Sequence, residues 1–208
     1  VGRRPVFDQR RTAALARRMS EEAFDRKPPA ATGVGHDGDE LVVYCLAARP
    51  GRPIENPRQC PAYHYSARYG PASPSFARAT RTALGPHGAE TLLIGGTASV
   101  RGEDTVFAED LEAQLDETIV NIRAVLRAAG REPDLASFSA ARVYHRRSED
   151  ADPRRRRVAE LFASARVIEF MRADICRPDL LVEIEGVAEL AAVPRADAPS
   201  GAARAGAI

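Results

Sequence analysis

The sequence contains no tryptophan, two methionines and one lysine, Lys27, among its 30 basic residues. That lysine sits in the polar stretch Asp25-Arg26-Lys27-Pro28-Pro29, a poor place for a Schiff base, so imine catalysis by the chain's own amine is set aside. Genomic base composition explains the arginine bias as well as chemistry does. No uncharged apolar run approaches the roughly 20 residues of a membrane span. Charge of one sign is also lacking: 29 acidic residues balance the basic ones to a net +1, without the surplus that drives nucleic-acid binding. The three cysteines (Cys45, Cys60, Cys176) form no C-x-x-C pair, and His36, His64, His87 and His145 are scattered. Zinc spacing and a disulfide framework are both absent, so no metal is expected, and reduced thiols fit the cytoplasm. The charged start Val1-Gly2-Arg3-Arg4-Pro5 has no apolar stretch of a signal peptide behind it, which points to a soluble cytoplasmic protein.

What is present is enough for a core. A length of 208 residues with 44% hydrophobic side chains excludes wholesale disorder and allows one generous domain with an appendage. The pattern predicts a helix over 8–26, stopped by Pro28-Pro29. Leu41-Val42-Val43-Tyr44-Cys45-Leu46 reads as a short buried strand. From Arg49 to Pro74 six prolines interleave with Tyr63, Tyr65 and Tyr69, which predicts a long polar loop with at most one strand at Tyr63–Tyr65. Further on, Thr91–Ile94 reads as a strand ending in Gly95-Gly96. Phe107 to Ala129 reads as an amphipathic helix closed by Gly130, and Phe138–Tyr144 as a strand. Asp152-Pro153 opens a helix through Ala165, and Val167–Ile175 and Leu180–Val187 are two strands joined as a hairpin. The order β-α-β-α-β-β implies an α+β fold, one mixed sheet with two helices on one face. Residues 1–28 are a helix and linker, 29–190 the folded unit, and 191–208 a flexible Ala/Pro/Gly/Arg tail.

Three places have residues suited to chemistry. Arg177 and Glu183 flank the last two strands; arginine forks a carboxylate, and a glutamate among apolar strands suits a general acid. An ordinary ion pair on a solvated hairpin is the plainer reading of the same residues. Gly95-Gly96-Thr97-Ala98-Ser99 lets a ligand approach the backbone, although no G-K-[ST] follows and a bulge or turn explains it equally. Arg58 with the tyrosines suits a polyanionic small ligand, or a lid whose rings pack on the core. The run Arg154-Arg155-Arg156-Arg157 follows Ser148-Glu149-Asp150-Ala151-Asp152 and reads as a self-neutralising helix start.

Leu93-Ile94-Gly95-Gly96-Thr97-Ala98, Gln114 to Ile122, and Arg177-Pro178 with Val182-Glu183-Ile184-Glu185 resemble the RidA/YjgF family, a trimeric, chorismate-mutase-like α+β fold. The upstream motifs Pro29 to Gly35, Leu41 to Tyr44, Glu55-Asn56-Pro57-Arg58-Gln59, Ala62-Tyr63-His64-Tyr65 and Tyr69 to Phe76 are similar to those of the chorismatases. The resemblance covers roughly residues 29 to 190. It implies cleavage of the enolpyruvyl ether of chorismate with release of pyruvate and without a metal or organic cofactor. Glu183 matches the family's general acid. Arg177 and Arg58 would hold carboxylates, Tyr63 and Tyr69 would donate near the ring or ether oxygens, and Gly96 and Thr97 would present backbone to the ligand. Two pocket positions are expected to set the product. Ala98 looks like the type that yields a dihydroxycyclohexadiene carboxylate, and Cys176 like the type that yields 3-hydroxybenzoate. Chorismatases carry a further domain ahead of this region while only a short piece precedes Pro29 here, so the resemblance implies a homotrimer. Two rival readings remain, a RidA-like enamine/imine deaminase and a non-catalytic ligand-binding trimer.

Overall fold

In the computed structural model, residues 28–46, 51–84, 89–130, 134–147 and 151–190 are described, together with 13 and 132. Apart from Ala13, the helix expected over 8–26 lies outside them, as does the 191–208 tail. Six strands form one sheet: β1 (Arg52–Ile54), β2 (Ala79–Ala83), β3 (Glu90–Ala98), β6 (Phe138–His145), β7 (Val167–Arg172) and β8 (Val182–Glu189). A small hairpin, β4 (Val100–Arg101) and β5 (Asp104–Thr105), stands apart. The spatial order is β1-β2-β3-β8-β6-β7, antiparallel except for β6 and β7. Those two run parallel because helix α2 (Ala151–Leu161) crosses between them.

Helix α1 (Leu111–Ala128) starts where the Asp110 side chain accepts the Ala113 N–H at 3.0 Å. It stops before Gly130, whose φ of +76° only glycine adopts without strain. Its buried stripe of Leu115, Ile119, Ile122, Val125 and Leu126 meets Leu92, Ile94, Val143, Val182 and Ile184 of the sheet. Each such side chain contributes about 1.5–3 kcal/mol on burial. Alternation along β8 then sends Glu183 and Glu185 to the opposite, helix-free face. A second, smaller cluster forms there, with Ala98, Val100, Tyr144, Ala173, Ile175 and Leu180 joined by Val34 and Cys176.

The α+β expectation holds, and several local expectations are corrected. Strands β7 and β8 are not a hairpin, because β6 lies between them and pairs with both. Two consecutive strands read as a hairpin by proximity in sequence, but the crossover helix claims β7 for the sheet edge. Leu41–Leu46 is not a buried strand: it has no strand partner and its apolar side chains are exposed, Tyr44 at 91%. An apolar run records burial only when a neighbouring strand exists to take its hydrogen bonds. Tyr63–Tyr65 is likewise no strand; two 3-10 turns, Ala62–His64 and Ala67–Tyr69, occupy that loop. Helix α2 ends at Leu161 rather than Ala165.

Candidate active site

Gly95 and Gly96 sit at a register shift in β3, between Ile94 and Thr97, where it pairs with β8. A bulge of this kind turns two successive residues toward one side of the strand. Here that side is crossed by residues 29–35, a strap that begins on Ala77 (Ala77 N to Pro29 O, 3.0 Å) and ends on Asp174 (Gly35 N to Asp174 O, 2.7 Å). A Cβ on Gly95 would lie 2.7 Å from the Ala31 carbonyl oxygen, and one on Gly96 would lie 2.8 Å from Cδ of Glu183. The glycines therefore make room for the strap and for a carboxyl group of the protein itself. The Gly96 N–H donates to Thr32 Oγ1 at 2.8 Å, and the Thr97 hydroxyl turns back to Gly95 O at 2.9 Å.

Glu183 is 4% exposed and lies in register with Ala98 on β3 and Tyr144 on β6. Ala98 and Tyr144 belong to the helix-free apolar cluster, and Cys176 packs against it. The Tyr144 hydroxyl donates to Glu185 at 2.9 Å, and Arg142 bridges Glu185 and Glu169. Burial above all pushes the Tyr144 phenol up to about 12, so its hydroxyl is a donor throughout the neutral range.

Arg177 is 9% exposed, one residue beyond Cys176. Its Nη1 donates to Glu103 O at 2.8 Å, Thr105 Oγ1 at 3.2 Å and Tyr69 Oη at 3.3 Å. The guanidinium lies 3.9 Å from the Tyr69 ring centroid and 5.3 Å from that of Tyr65. Such stacking is worth about 1–2 kcal/mol and leaves the cation's charge unneutralised. The turn carrying Arg177 is fixed from below by Gln114 of α1, which donates to Asp179 O at 2.8 Å and accepts from Leu181 N at 2.8 Å.

Arg58 reaches toward α1. Its guanidinium reaches Glu117 at 2.5 Å and Asn121 Oδ1 at 3.1 Å, both on α1. Arg101 grips the second oxygen of Glu117 at 2.6 Å. Burial opposes ionisation of Glu117, but the two guanidiniums outweigh it and hold its pKa below the ordinary carboxylate range. Asn121 also donates to the carbonyls of Ala98 and Val100, so this network fixes the end of β3 from the helix side. Tyr63 packs edge-on against His64 at 4.7 Å.

Sequence reasoning named Tyr65 only among the loop tyrosines and Glu55 only within a motif, and it passed over Arg78. Arg78, in the Phe76-Ala77-Arg78 stretch before β2, donates to Tyr65 Oη at 2.7 Å and to Cys60 O at 3.0 Å. Burial raises the Glu55 carboxyl above its usual pKa despite Arg78 and the Tyr63 hydroxyl beside it. Strand β2 has no strong apolar pattern, so nothing in the sequence flagged the arginine at its start. Among the described residues no group of His, Cys, Asp and Glu could hold a metal ion, and no helix is long and apolar enough to cross a membrane.

No family model matches the chain. A 3-hydroxybenzoate synthase of Streptomyces hygroscopicus is 44% identical over 174 residues, which are 76% of this chain and 50% of that protein. A chorismatase of Streptomyces rapamycinicus is 39% identical over 170 residues, with the same 76% and 50% coverage. A crystal structure of a chorismatase aligns with a TM-score of 0.64 at 37% identity, over 77% of this chain and 51% of the other. The chain thus spans about half the length of the relatives it matches.

Proposed function

We propose that this chain, which matches the chorismatases in sequence and shares their RidA/YjgF-like fold, cleaves the enolpyruvyl ether of chorismate. The observation that carries the reading is a buried carboxyl, Glu183, on β8 and a stacked guanidinium, Arg177, on the turn that leads into it. The apolar cluster of Ala98, Tyr144, Ile175 and Leu180 lies along the same face and suits a hydrocarbon ring. Arg177 would fork a substrate carboxylate with the Nε–Nη2 edge that its Nη1 contacts do not use. Glu183 would give its proton to the enol methylene carbon. The oxocarbenium so formed takes water at its carbon, and the resulting hemiketal collapses to pyruvate and the ring alcohol. The unit carrying this chemistry is residues 29–190.

Tyr69 would orient Arg177 and donate near the ring, and Gly96 would leave the space that Glu183 needs. Thr97 holds the bulge, and Tyr63, edge-on against His64, would donate near the ring or ether oxygens. Arg58 stays outside this assignment because its guanidinium is already committed to Glu117, a carboxylate it shares with Arg101. The Ala98 methyl fills the wall beside Glu183, which favours direct attack by water and a dihydroxycyclohexadiene carboxylate, while Cys176 on the same cluster favours 3-hydroxybenzoate. The three free thiols suit a reducing cytoplasm. The helix-free face leaves Val167 and Met171 exposed at the β7 edge, and a homotrimer would cover it, with a trimeric mass in light scattering as the expected result.

The direct test is pyruvate release from chorismate, measured with lactate dehydrogenase. Wild-type protein is expected to turn over, and Glu183→Gln to lose about a thousandfold or more of kcat while still binding substrate, since glutamine fills the site but cannot act as the acid. A Glu183→Gln variant with near-normal kcat removes Glu183 from the mechanism. Wild-type protein that binds chorismate without releasing pyruvate favours the ligand-binding reading instead.

A further inference from the structure

The β4–β5 hairpin touches the tyrosine loop and Arg177 at once, and the residue common to both contacts is Glu103. Its two carboxylate oxygens accept from a single residue of the loop, Oε2 from the Ser66 backbone N–H and Oε1 from the Ser66 hydroxyl, each at 2.8 Å. Its backbone carbonyl accepts from Arg177 Nη1 at 2.8 Å. Ser66 immediately precedes the 3-10 turn Ala67–Tyr69, whose last residue stacks on Arg177. From these contacts we infer that Glu103 is a positioning residue, a clasp that holds the loop 62–70 closed over Arg177 and so sets the anion pocket. The inference rests on the chorismate reading for its kinetic consequence, though not for the clasp itself.

The chemistry of the contact favours this role over an ordinary surface ion pair. Two charge-assisted hydrogen bonds to one residue fix both position and direction, whereas a long-range charge contact fixes neither. The Ser66 donors are the largest influence that lowers the Glu103 pKa, so the acceptor stays ionised at neutral pH. Arg68, 3.6 Å away, adds a weaker contact from the same loop and pairs with Asp104 of β5. The negative charge is turned toward the loop, and only the neutral carbonyl meets Arg177. The guanidinium is thereby held without being neutralised, as an anion-binding arginine requires. The hairpin itself is tied down independently, by Cys60 N to Gly102 O and Gly102 N to Arg58 O, both 2.8 Å. Removing the Glu103 carboxylate therefore frees the loop without dismantling its anchor.

The experiment compares wild-type protein with Glu103→Ala, Glu103→Gln and Ser66→Ala by amide hydrogen exchange over residues 62–70 without ligand, and by the pyruvate-release assay. Glu103→Ala should speed exchange at Ser66 about tenfold, since the amide loses its bonded partner. It should also raise KM for chorismate about tenfold, with kcat within about threefold and the melting temperature nearly unchanged. Glu103→Gln, which keeps one acceptor, should lie between the two. Adding Ser66→Ala to Glu103→Ala should cost nothing further, because both remove the same contact. Unchanged exchange in Glu103→Ala overturns the clasp. Faster exchange with unchanged KM overturns its role in the pocket. A wild-type protein that releases no pyruvate defeats the chorismate reading alone, and the exchange comparison then decides the clasp by itself.

Discussion

Two guanidiniums in this molecule have opposite surroundings. On the helix side of β3, Arg58 meets the carboxylate of Glu117, itself held by Arg101, and the amide of Asn121. On the turn before β8, Arg177 is held by a carbonyl, two hydroxyls and two aromatic rings, all of them neutral. The first arrangement gives Arg58 a carboxylate partner, shared with Arg101, and ties loop to helix. The second immobilises a cation while leaving its charge for an incoming anion. Both arginines stand in motifs that resemble the same enzymes, so motif membership alone cannot separate a structural arginine from a binding one. Their partner atoms are what differ.

The sharpest way to break this contrast is to change each arginine in turn. Arg177→Lys should weaken substrate binding by about thirtyfold, or about 2 kcal/mol, because an ammonium reproduces neither the planar fork nor the stacking on Tyr69. Calorimetry with a chorismate-like dicarboxylate measures it, and unchanged affinity would place the carboxylate clamp elsewhere. Arg58→Met should behave in the opposite manner. It leaves Glu117 with one fewer partner and should lower unfolding free energy by about 1–2 kcal/mol, read by urea titration, with KM shifted by less than about twofold. A large rise in KM with unchanged stability would instead make Arg58 the holder of a second substrate carboxylate. The smallest effect is expected at the wall. Ala98→Gly removes one methyl group from the cluster beside Glu183, which should raise the share of 3-hydroxybenzoate in the product mixture at a stability cost of about 1 kcal/mol. Wild-type protein that already yields chiefly 3-hydroxybenzoate, seen by chromatography, would transfer control of the product from Ala98 to Cys176.

The contrast between the faces of the sheet shows where sequence reasoning succeeds. Helix α1 was legible because Leu115, Ile119, Ile122 and Leu126 repeat at helical spacing and Gly130 ends the pattern. Strands β3, β6 and β8 were legible in outline for the same kind of reason. Arg177 and Glu183 stood out as site candidates by residue type and by their resemblance to a known motif. Strand β2 was not legible, since Ala79-Thr80-Arg81-Thr82-Ala83 carries little apolar signal and is held by pairing with β1 and β3. The exposed run Leu41–Leu46 misled for the converse reason: strong apolar character without a partner strand.

The sequence by itself determined the α+β class, the main helix and strands, and the two chemically eligible residues on the turn before β8 and at its start, because local periodicity and residue type act over a few positions. Tertiary structure alone decided that β6 separates β7 from β8, that the glycine pair yields its space to the strap and to Glu183, and that Glu117 takes Arg58 while Tyr69 takes Arg177. Those choices depend on which groups meet across 59 residues in one case and 108 in the other. No local pattern encodes a contact at that separation; it follows from the packing of the whole sheet.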